Sequence, residues 1–182
     1  MSAHLRYRPD IDGLRAVAVL GVVLFHAGLG VPGGYVGVDV FFVISGFLIT
    51  SLILKDLDRG TFSMVDFWER RARRIFPALA VVVVTCLLAG WFLMLPFGYL
   101  VLAQSAIALT FFASNFQFWR TADYFGPVAE ENLLLHTWSL SVEEQFYLIV
   151  PVLMAVLYAW RKRALLPWAA GVGVVVSLVL SE

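Results

Sequence analysis

Long apolar runs alternate with short charged knots along this chain. After a polar N-terminus carrying Arg6, Arg8, Asp10 and Asp12, a first run extends from about Leu14 to Val31 and ends in the Pro/Gly turn "VPGGYVG". A second run covers about Val36 to Leu54, and a charged knot from Lys55 to Arg74 follows it. The third run is about Ile75 to Leu95, "PFG" turns into a fourth from Tyr99 to Trp119, and a polar stretch leads into "WSLSVEEQFYLIVPVLMAVLYAW". "RKR" at 161–163 precedes a last run that reaches Ser181. A helix that crosses a bilayer needs about 20 mostly apolar residues. The pattern therefore predicts an all-α fold, a polytopic membrane helix bundle with about five to six hydrophobic segments in a lipid bilayer. No small-x-small cleavage site follows the first run, and a second run comes at once, so a crossing is expected there rather than a signal peptide.

Local cues refine this. Ser63 followed by Asp66 reads as a helix start, so Arg70, Arg71, Arg73 and Arg74 are expected on a short interfacial helix, with Pro77 in the first turns of the third crossing. Four Arg in five positions beside membrane runs argue for the cytoplasmic side. If every run then crosses once, "RKR" falls outside, against the charge bias. Either residues 99–119 dip in without crossing or "RKR" is an exception.

Composition agrees with the pattern: 61% of the 182 residues are hydrophobic and 14% charged, against about 25% charged in soluble domains. Thirteen basic and thirteen acidic residues cancel, so charge points to no nucleic-acid partner, and none is expected. The single Cys86 lies within an apolar run and reads as a packed thiol. The three His have no metal-ligand spacing, and no metal is expected.

Ionisable residues inside apolar runs are functional candidates. Arg15 and His26 are eleven apart, which on a helix is about 16 Å of rise and an offset of only about 20°, so they share a face. Asp39, just inside the second run, is expected at the depth of His26, where its carboxylate could orient the imidazole; a helix N-terminal Asp favoured by the dipole is the plainer alternative. Ser45 beside Gly46 suits a helix-packing contact or a polar site residue. "HTWSLSVEEQFY" sets His136, Trp138, Ser141, Glu143 and Glu144 at the mouth of an apolar helix, and Ser141 with Glu144 also fits a capping box. A proton or anion path through Arg15, His26, Asp39 and Glu144 in half of a transporter or channel is a second reading, and an inactive truncated scaffold a third.

Five blocks, "DGLRAVAVLGVVLFHAG", "PGGYVGVDVFFVISGFLIT", "FWERRARRIFP", "SNFQFW" and "NLLLHTWSLSVEEQFYLIVP", in order from about Arg8 to Pro151, resemble the N-terminal half of the bacterial membrane acyltransferase family 3 proteins. The family includes acetyltransferases of O-antigen, peptidoglycan and other cell-surface glycans. The resemblance implies that residues 1–182 are the N-terminal part of a catalytic domain of about ten membrane helices, its C-terminal half missing here. It implies a multi-pass protein of the bacterial inner membrane that moves an acyl group, acetyl above all, from cytoplasmic acyl-CoA to a hydroxyl of an extracytoplasmic glycan or glycolipid. No permanently bound cofactor is implied; acetyl-CoA would be the donor substrate. The family's Arg–ten residues–His signature falls on Arg15 and His26. Its paired-Arg signature fits Arg71 and Arg74, with Arg70 the extra upstream member. On this reading Arg15, Arg70, Arg71 and Arg74 meet the donor, and Arg suits its phosphates because it binds them bidentately. His26 is the general base or the acyl carrier, Asp39 its orienting group, and Glu143 or Glu144 holds the acceptor or assists proton transfer. Ser45, His136, Trp138 and Ser141 are candidate substrate contacts. The oligomeric state is left open.

Overall fold

The computed structural model describes residues 8–120, 132–160, 165, 168 and 171. Arg6, most of the polar stretch before Asn132, "RKR" and all but three positions of the last apolar run lie outside the described residues. Within them the fold is all-helical: α1 (Pro9–His26), a 3-10 turn (Gly34–Val36), α2 (Gly37–Asp58), α3 (Met64–Leu93), α4 (Pro96–Thr110), α5 (Ser114–Arg120) and α6 (Thr137–Ala159). Three helical segments are long and apolar enough to cross a membrane: Gly34–Asp58, Met64–Leu93 and Thr137–Ala159. The first helix spans 18 residues with Asp10, Asp12 and Arg15 among them, and it is not one of the three. The chain divides into two compact units, Met1–Lys55 and Asp56–Glu182.

In the first unit, Pro9 in the first turn of α1 supplies a preset φ, and the Arg8 guanidinium, bonded to Asp10 at 2.7 and 2.9 Å, holds that carboxyl below its usual range. Ile11 and Ala18 are buried and Arg15 half-buried, so the stripe Ile11–Arg15–Ala18–Val22 faces the rest of the unit, while Leu14, Val17 and Leu20 point away. The return path is tight. Gly33, at φ 85°, turns the chain, and Gly34 and Gly37 then lie directly on α1. A Cβ on Gly34 would stand 2.2 Å from the Gly21 carbonyl oxygen, and one on Gly37 would stand 2.3 Å from that of Ala18. Only glycine allows backbones this close.

In the second unit, Ser63 caps α3 as expected, its Oγ accepting the Asp66 N–H at 3.3 Å. The expected short interfacial helix is absent. Met64 to Leu93 is one continuous helix of 30 residues running through Pro77, which withholds its N–H from the Arg73 carbonyl without ending the helix, as apolar membrane helices tolerate. The fourth run is also revised. It is not a single segment but α4 and α5, separated at Phe111–Ala113, where Phe112 takes φ 50°. At 15 residues α4 is about 22 Å long, short of a hydrocarbon core of about 30 Å. Leu102, Ala106 and Leu134 form a buried cluster, with Val83, Cys86 and Leu87 of α3 packed on it.

Gly34→Ala is expected to destabilise the protein by about 1–3 kcal/mol, since the added methyl must push the turn off α1. Gly13→Ala, with nothing within 4 Å of its new methyl, is the control and leaves stability unchanged or slightly raised. Thermal midpoints of the two variants in detergent check the contrast.

Candidate functional site

Charge sorting along α3 comes first. Arg73 pairs with Glu69 one turn away, an ordinary i,i+4 surface bridge. Arg70 and Arg74 are exposed, and Arg71 is half-buried. The Arg71 guanidinium lies 4.8 Å over the ring of Tyr147 on α6 and 5.8 Å from that of Phe67, both within cation–π range. Arg74, Glu143 and Glu144 are within its electrostatic reach. Even so, among the described residues no carboxylate oxygen comes within ion-pair distance of Arg71; the ion pairs found are Arg8–Asp10 and Arg73–Glu69.

Both carboxylates are on α6. Tyr147 donates its hydroxyl hydrogen to Glu143, one turn back on the same helix. Glu144 is buried at 8% exposure, and its Oε1 has no hydrogen-bond partner. Pro151 explains how Tyr147 is anchored. It has no N–H to give the Tyr147 carbonyl four residues earlier, and the Trp68 indole N–H of α3 donates to that carbonyl instead, at 3.1 Å. Trp68 and Phe67 lie three and four residues before Arg71, on its own helix face.

A second set of bonds fixes the rotation of α6. Gln145 donates to the Phe112 carbonyl at 2.7 Å and to Asn115 Oδ1 at 2.9 Å, and Asn115 donates back to Gln145 Oε1 at 3.2 Å. The Ser141 hydroxyl accepts the Ser114 N–H at 3.3 Å. Ser141 therefore is not the start of a capping box with Glu144. Helix α6 already begins at Thr137, whose hydroxyl donates to the Leu134 carbonyl at 2.6 Å, so Ser141 and Glu144 lie inside the helix. His136 stands exposed just before α6, its carbonyl accepting the Ser139 hydroxyl; Trp138 is half-buried.

In the first unit, the Arg15 guanidinium lies 5.0 Å over the Phe41 ring. His26 ends α1, exposed, with Nδ1 2.9 Å from the Val22 carbonyl oxygen and its ring edge-on to Phe25. A carbonyl only accepts, so Nδ1 carries the hydrogen and Nε2 of the neutral ring presents the lone pair. Asp39 is not at the depth of His26. The close pairs Gly21–Gly34, Ala18–Gly37 and Arg15–Phe41 run antiparallel, which sets Asp39 level with residues 16–17, about 14 Å along the axis from His26. The loop folds back against the side of α1 instead of standing above its end. Asp39 is exposed, and it makes no hydrogen bond or ion pair with His26. Ser45 is buried, its Oγ without a partner among the described residues.

The structure thus brings together Arg71, Glu143 and Glu144, and it adds Tyr147, Trp68 and Phe67, to which sequence reasoning gave no role. The available signal was spacing: Tyr147 lies four after Glu143, and Phe67 four before Arg71.

An acyltransferase-domain family model matches residues 8–181. The chain belongs to this acyltransferase family. It is 41% identical over 156 residues to "O-acetyltransferase OatA" of Staphylococcus aureus (strain NCTC 8325 / PS 47), covering 84% of this chain and 25% of that protein. It is 39% identical over 173 residues to "Peptidoglycan O-acetyltransferase OatA" of Listeria monocytogenes, covering 92% of this chain and 28% of the relative. The chain therefore spans about a quarter of the length of these curated relatives. No solved structure matches it.

Within the acyltransferase chain, Gln145→Leu should orphan the Phe112 carbonyl and the Asn115 amide together. A loss of about 1–3 kcal/mol of stability per orphaned group is expected, read as a lowered thermal midpoint in detergent, and Gln145→Glu should be destabilising too, because its carboxylate keeps the acceptance from Asn115 but faces the Phe112 carbonyl with an acceptor.

Proposed function

We propose that the protein of which this chain forms part is a multi-pass O-acetyltransferase of the bacterial cytoplasmic membrane. It transfers acetyl from cytoplasmic acetyl-CoA to a hydroxyl of an extracytoplasmic glycan. Peptidoglycan is the acceptor class, in keeping with the name of the Listeria relative. The observation that carries the chemistry is the tautomer of His26: with Nδ1–H engaged by Val22, the exposed Nε2 is free to act as base. In direct transfer, Nε2 takes the proton of the sugar hydroxyl as its oxygen attacks the thioester carbonyl. The C–S bond breaks, an acetyl ester forms, and the proton returns to the departing coenzyme A thiolate. An acyl-imidazole route would use the same nitrogen as nucleophile.

The donor's phosphates are assigned to Arg71 and Arg74, neighbours one turn apart, with Arg70 beside them. Lack of a carboxylate partner for Arg71 supports this, because a guanidinium already neutralised would bind phosphate weakly. Glu144, buried with an Oε1 that has no hydrogen-bond partner, is the carboxylate retained for holding the acceptor or assisting proton transfer. The orienting task expected of Asp39 passes to the Val22 carbonyl.

His26→Ala in the full-length protein should lower acetyl transfer by about 10²- to 10⁴-fold, the usual contribution of a general base, with membrane insertion unchanged. Transfer to a soluble peptidoglycan fragment, followed by mass spectrometry of the ester, is the measurement; wild-type turnover in the variant rules out His26. Arg71→Ala together with Arg74→Ala should weaken binding of acetyl-CoA, and an unaltered affinity returns both to topology signals.

A further inference from the structure

Arg71 poses a problem of charge. Two carboxylates lie near it on α6, yet neither pairs with it, although an unpaired guanidinium half-withdrawn from water is costly. The geometry has two parts. The rings of Tyr147 and Phe67 take the guanidinium through their π faces, and a stacked guanidinium keeps its N–H donors pointing outward in its own plane. Meanwhile the Tyr147 hydroxyl occupies one of the two carboxylates, Glu143. A phenol that donates to a carboxylate also gains electron density in its ring, which strengthens the cation–π contact. Tyr147 itself is held in register with Arg71 by the Trp68 bond to its carbonyl, which Pro151 leaves vacant.

We propose that Tyr147 is a positioning residue that keeps Arg71 stacked and un-neutralised, by holding Glu143 away, so that the guanidinium edge stays open to a phosphate of the nucleotide thioester donor. This rests on the assignment of Arg71 to the donor. It makes Glu143 a carboxylate that must be restrained, a different role from contact with the acceptor. Tyr147→Phe keeps the ring and the packing but releases Glu143, which then swings to Arg71 and competes with phosphate.

The test uses the full-length protein in detergent, with coenzyme A as probe and its dissociation constant as readout. Tyr147→Phe should weaken binding by about tenfold, the size of one charge-assisted hydrogen bond. Tyr147→Phe with Glu143→Gln should return it to within about twofold of wild type, because a neutral amide does not compete for Arg71. A merely structural hydroxyl would show no such rescue. Unchanged affinity in Tyr147→Phe, or no recovery in the double variant, overturns the proposal while a weakened Arg71→Ala leaves the donor assignment standing. Unchanged affinity in Arg71→Ala overturns both. Should Tyr147→Phe not accumulate, Tyr147→Trp keeps a ring without the hydroxyl, and the same loss and the same rescue by Glu143→Gln are required of it.

Discussion

In surroundings without water, every backbone N–H and carbonyl has to find a partner within the protein, and the second unit is organised by two places where the helix itself cannot supply one. Pro151 withholds its N–H from the Tyr147 carbonyl, and Trp68 reaches across from α3 to fill the vacancy. The break after α4 frees the Phe112 carbonyl, and Gln145 reaches across from α6. Both bonds end on α6 within three residues of Glu144. They fix that helix in rotation and in register, which is why two adjacent glutamates can face one arginine without any direct bond between them.

The first unit solves a different problem, how to bring two helical segments together when apolar side chains give no preference over lipid. Small residues do it: Gly21, Gly34, Gly37 and Ala18 let backbone meet backbone. This contact sets the register that holds Arg15 against Phe41, and it uses up the length of chain that would otherwise have placed Asp39 beside His26. The histidine is left at the end of α1, next to Phe25, which packs on Gly34 and Tyr35, and its ring is fixed by its own helix.

Features decided within a few residues were legible in the sequence. Ser63 with Asp66 marked a true cap, the second, third and fifth apolar runs each became one helix, and the spacing of Arg15 and His26 survives because α1 is regular between them. Features decided by distant partners were not. Nothing local in "LTFFASNF" demands a left-handed Phe112; the break is stable because Gln145, 33 positions later, accepts the consequence. Ser141 and Glu144 have capping-box spacing, but Thr137 and Leu134 start the helix a turn earlier, and Ser141 is then drawn to Ser114. Depth along a bundle is likewise invisible to spacing, since a turn of seven residues can stand above a helix end or fold down its side, as the Gly33 turn does.

The same economy of donors and acceptors links the two ends of the chemistry. At His26 a backbone carbonyl takes one nitrogen and leaves the lone pair on the other. At Arg71 two rings take the guanidinium faces and a tyrosine takes the carboxylate that would have closed its edge. In each case the protein satisfies the part of a reactive group that faces inward with something that cannot compete for the part that faces outward: a carbonyl cannot protonate Nε2, and a π face cannot occupy an N–H. A carboxylate partner would have bound either group more strongly. At Arg71 it would also have closed the guanidinium edge, and so the weaker, face-on contact is the one that leaves its N–H donors open to an anion.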